Sequence, residues 1–134
     1  MFYYPMNAPP QILWIITEGI AGTENQCIGI AESLKTRFWP SLDIVIKRVN
    51  LKFPYSLWSP FWTCGEGPSM LTANSSSISA PFPDIVISGG RKAIGIARYI
   101  RKASMGHTFV CIVQHPRVRF DDFDLVAVPM HDLK

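Results

Sequence analysis

The chain has 134 residues, 48% of them hydrophobic and 17% charged, with a formal net charge of +3. So much apolar surface excludes a disordered polar tail, because its burial offsets chain entropy. So small a charge excludes a nucleic-acid binder, which presents a dense basic face.

At about 100–200 residues per domain, the length holds one domain. Met1–Pro10 reads as a loose leader. Gln11–Thr17 is a short apolar run that predicts a buried strand. Glu18–Gly22 is a glycine-containing turn. Thr23-Glu24-Asn25-Gln26 matches a capping box with Thr23 as N-cap. The helix it opens places Cys27, Ala31, Leu34 and Phe38 on one face, and Pro40 stops it. Leu42–Val49 predicts a second strand. Leu51–Pro83 has no period and is rich in proline and aromatic residues, with a serine run at Ser75–Ser77. It reads as a long loop with a short helix or two, or as a lid or partner surface inserted in the domain.

Regularity returns at Asp84–Ser88, a continuous apolar strand. Gly89-Gly90-Arg91 then opens a helix that runs to about Ser104. Ala93, Ile96, Ala97, Ile100 and Ala103 share its buried face. Arg91, Arg98 and Lys102 share the opposite, solvated one. His107–Gln114 and Phe123–Pro129 predict two further strands. Strands that are apolar throughout, alternating with amphipathic helices, call for a parallel sheet covered on both faces. The fold class is α/β, a doubly wound, Rossmann-like sheet with right-handed crossovers.

In such sheets ligands bind outside the carboxyl ends of the strands. Four segments converge there: Thr17–Gln26, Ser88–Arg91, Gln114–Arg119 and Pro129–Asp132. In the first, Gly19 and Gly22 let the backbone turn and approach a ligand, and the helix start behind them suits phosphate or carboxylate. Glu18 opposes an anion there unless it meets a sugar hydroxyl or a cation. In the second, Gly90 leads into another helix start, and Arg91 adds a forked cation. In the third, Arg117 reaches toward the same crevice, and His115 is a group that titrates near neutral pH. In the fourth, His131 and Asp132 form a possible base and its orienter. Each feature also has a plain structural reading: a turn, a solvated arginine, a hydrogen-bonded loop histidine, or neighbours that point apart. Three scattered histidines predict no metal site, and no cofactor motif is present.

Cys27, Cys64 and Cys111 are too widely spaced for a disulfide framework or a metal knuckle. They read as buried thiols of a reducing compartment. No Lys or Arg precedes Lys35, so no secretory or transit peptide is expected. No apolar run approaches the roughly 20 residues of a membrane span. The expectation is a cytoplasmic protein with no transmembrane segment and no nucleic-acid partner.

Trp14–Gln26 (WIITEGIAGTENQ), Pro83–Arg91 (PDIVISGGR), His115–Arg117 (HPR) and Phe123–Asp132 (FDLVAVPMHD) together resemble the mitochondrial fission "elongated mitochondria" family, in order and from Gln11 onward. Met130 stands where that family more usually has Glu, and His115 where bacterial relatives more usually have an acidic residue. Some members are labelled nucleoside-diphosphate-sugar epimerases, and the family resembles glycosyltransferases built from two Rossmann-like domains (GT-B). The resemblance implies the N-terminal, acceptor-side half of that architecture, residues 11–134, with the donor-side C-terminal domain absent and the gene product truncated or split. It implies a sugar- or phosphate-bearing ligand shaped by Thr17, Gly19, Gly22 and Gln26 and held by Gly90, Arg91 and Arg117. It leaves open whether the chain is part of an enzyme, and any activity would need the missing half. The alternative it implies is a non-enzymatic module, since plant relatives help recruit a dynamin-like protein in mitochondrial fission. Leu51–Pro83 is then the docking surface.

Overall fold

Apolar runs bounded by glycine or proline pair into one sheet in the computed structural model. It describes residues 9–50, 78–113 and 123–126. Most of the leader 1–10 and most of the Pro- and aromatic-rich stretch 51–83 lie outside the described residues, as do Cys64, Gln114–Arg119 with His115 and Arg117, and Pro129–Asp132 with Met130, His131 and Asp132. The elements are β1 (Ile12–Thr17), α1 (Ala21–Arg37), β2 (Asp43–Arg48), β3 (Ile85–Ser88), α2 (Arg91–Ala103), β4 (Phe109–Ile112) and β5 (Leu125–Val126). All pairings are parallel, in the order β2-β1-β3-β4-β5. This is the doubly wound Rossmann-like arrangement that alternating strands and helices call for.

Strand alternation sorts the core into two layers. Leu13, Ile15, Ile85, Ile87 and Cys111 point to the side of α1, where they meet Cys27 and Ala31. Trp14, Ile16, Val86, Val110 and Ile112 point to the side of α2, where they meet Ala93, Ile96, Ala97 and Ile100. The step from β1 to β2 runs opposite to the step from β3 to β4. Right-handed crossovers therefore put the two helices on opposite faces.

Side-chain acceptors pin the amino ends of the strands. The Asp84 carboxylate accepts from the backbone N–H groups of Gln11 (2.8 Å) and Ile12 (3.1 Å). The Asp124 carboxylate accepts from the Val110 N–H at 2.8 Å and pairs with Arg101 at 3.3 Å.

Four expectations are corrected. Helix α1 begins at Ala21, with Ile20 as N-cap and no side-chain cap. Gly19, at φ +88°, turns the chain directly after β1, so the first helical bond already runs from the Glu24 N–H to the Ile20 carbonyl at 2.9 Å. Thr23 is therefore a buried residue of the first turn rather than the cap. Phe38 is 65% exposed instead of buried, because it is the C-cap, where the dihedrals leave the helix. On α2, Arg98 is buried at 1% exposure, and Ala103 is exposed at the helix end. A buried guanidinium needs partners, and Arg98 has them. Strand β2, expected as a strand, is half-exposed along its length, since an edge strand has a neighbour on one side only. Its Lys47 covers the Trp14 ring, Nζ lying 4.6 Å from the ring centroid.

Candidate functional site

The strand order reverses between β1 and β3, and a doubly wound sheet opens its crevice at the carboxyl ends of those two strands. Two glycine turns meet there. Gly90 has φ +94°, a region that L side chains rarely adopt, and a Cβ on it would lie 2.8 Å from Glu18 Oε2. A Cβ on Gly89 would overlap Thr23 Cγ2 of α1. Glycine is thus favoured at both positions, by close approach at Gly89 and by backbone conformation at Gly90, where the movable Glu18 carboxylate lies alongside. The same contacts bring the first turn of α1 against the end of β3.

Beneath this turn lies a polar cluster. The Thr17 hydroxyl donates to Glu24 Oε1 at 2.8 Å and accepts from the Gly19 N–H at 3.3 Å. Arg48 grips the same carboxylate with two bonds, Nε to Oε1 at 3.0 Å and a terminal nitrogen to Oε2 at 2.9 Å. Glu24 is buried, whereas the Arg48 side chain is 62% exposed. Hydrogen bonds from Arg48 and then Thr17 hold the Glu24 carboxyl below its ordinary value of 4.5, outweighing the desolvation that would raise it. The same pairing raises the Arg48 guanidinium further. Under β3, the Ser88 hydroxyl donates to the Ile16 carbonyl at 2.8 Å, which ties the ends of β1 and β3 together.

Of the expected ligand-shaping residues, Thr17, Gly19 and Gly90 come together at this edge. The Thr17 hydroxyl is committed inward, to Glu24 and Gly19. Gly22 does not turn the chain: it sits in the first turn of α1, and a Cβ there would meet nothing within 4 Å. Gln26 is exposed on the next turn of the helix. Arg91 starts α2, but its side chain, like Arg117, His131 and Asp132, is outside the described residues. Glu24 and Arg48 are additions that the sequence reading missed. Their signal was strand parity: Arg48 shares the α1-facing parity of Ile44 and Ile46, and Glu24 stands in the first turn of the helix above it.

Burial lifts the Cys27 thiol to about 12, with Cys111 and Glu24 adding to the shift, and lifts the Cys111 thiol to about 11. Both are free, buried thiols. Neither is a thiolate nucleophile at neutral pH. Among the described residues no group of His, Cys, Asp and Glu could hold a metal ion, and no helix is long and apolar enough to cross a membrane.

Comparison with known proteins gives one family and one curated relative. The relative is the Mitochondrial fission protein ELM1 of Arabidopsis thaliana, 29% identical over an alignment of 162 positions that takes in 88% of this chain. The match takes in 38% of the relative, so this chain corresponds to well under half of its length. No solved structure gives a significant match. The family model described as Mitochondrial fission ELM1 matches residues 21–134, which include α1, the Gly89-Gly90 turn and every later strand. On that match the chain belongs to the mitochondrial fission ELM1 family.

Proposed function

We propose that this chain is the acceptor-side α/β domain of a glycosyltransferase-like protein, and that a sugar- or phosphate-bearing molecule lies across the carboxyl ends of β1 and β3. The observation that supports this most is the approach of Glu18 to Gly90 where the strand order reverses. That approach joins a carboxylate, an acceptor for sugar hydroxyls, to two helix starts that favour a phosphate or carboxylate. Gly19 and Gly90 add no side chains of their own to the crevice floor. Glu24, paired with Arg48 and Thr17, is a positioning residue that fixes the turn from β1 into α1. In this reading Arg91 and Arg117 take the anionic group, and His131 with Asp132 supplies a base and its orienter. The donor-side domain is supplied by sequence outside this chain, in keeping with its 38% share of the relative.

The test is calorimetric melting of the chain with a panel of nucleotide sugars and sugar phosphates. A specific ligand at 100 times its Kd stabilises the native state by about 2.7 kcal/mol and raises Tm accordingly. Arg91→Ala should abolish that rise and leave the ligand-free Tm unchanged. A panel in which nothing moves Tm would rule the crevice out as a binding site for this class.

A second reading, a non-enzymatic recruitment module, draws support from the name of the matched relative, a mitochondrial fission protein. It requires that deletion of 51–83 remove a protein partner in pull-down while the domain stays folded. An unchanged partner list would discard it.

A further inference from the structure

No further inference is drawn: the strongest candidate, the Glu18 carboxylate beside Gly90 at the start of α2, belongs to the crevice already described and rests on a helix start with nothing among the described residues that points to a second ligand.

Discussion

Both faces of the sheet are apolar, yet they are finished differently. On the α2 face the layer from Trp14 and Ile16 to Ala97 and Ile100 is closed over, and even Arg98 is buried within it. On the α1 face Leu13, Ile15, Cys27 and Ala31 are just as dry, but the layer ends at a groove where Leu34, Trp39 and Phe109 are only partly covered. The strands supply the same Ile, Val and Leu to both sides, so side-chain chemistry does not explain the difference. What differs among the described residues is the reach of each helix: α1 packs on β1 and β3, whereas α2 packs on β1, β3 and β4.

Truncations probe this contrast most strongly. Ile96→Ala, in the closed layer, should cost about 2–5 kcal/mol, the usual range for a buried large-to-small change that leaves a cavity. Leu34→Ala, beside the groove, should cost under about 1.5 kcal/mol, because water already reaches the site. Chemical denaturation of both variants measures the difference, and equal losses would show that the two faces are packed alike.

A smaller effect is expected where the faces meet the carboxyl edge. Gly89→Ala drives a Cβ into Thr23 Cγ2 and should cost about 1–3 kcal/mol. Thr23→Ser removes that methyl group. The double variant should recover most of the loss, and a double-mutant cycle that came out additive would contradict the contact.

Next comes the Glu24 pair on the α1 side. Glu24→Gln should cost about 1–2 kcal/mol at pH 7, with the exposure of Arg48 keeping it low in the range for charged hydrogen bonds. The folded-state pKa lies below the ordinary 4.5, so this contribution is fully present above 4.5 and is lost as pH falls through the lower folded value. The stability curves of wild type and Glu24→Gln should run parallel above about pH 5.5 and converge in acid. Curves that stay parallel below pH 4 would mean that the carboxylate is not held by Arg48 and Thr17.

The smallest effect is a gain. Met105 holds φ +57° at the end of α2 with its side chain exposed. Met105→Gly should stabilise by about 0.5–1 kcal/mol, read as a higher Tm, since glycine adopts that region without the steric penalty.

Much of this molecule is local in origin. Ile12–Thr17, Ile85–Ser88 and Phe109–Ile112 are strands because short, largely β-branched runs flanked by glycine, proline or polar residues have few other uses. The glycines at 19 and 90 marked the turns that meet at the sheet edge, because a chain reversing directly out of a strand needs the left-handed region. Those facts, the α/β class and the place of the crevice follow from neighbours in sequence. Three others do not. Thr23 reads as an N-cap by spacing, but its methyl group packs against Gly89, sixty-six positions away in the numbering. Arg98 shares a helical face with Arg91 and Lys102 by spacing, yet it is buried, as are Ile94, Ile96 and Ala97 beside it. Glu24 and Arg48 become a pair only because β2 lies alongside β1 in parallel register, which places Arg48 opposite Thr17. Sequence alone determined which segments are strands and helices and where the backbone must turn, because those depend on side-chain shape and backbone sterics within a few residues. Tertiary structure alone decided which charges are buried, which glycines are crowded and which apolar residues of the described sheet are only partly covered, because each depends on the distant element that packs there.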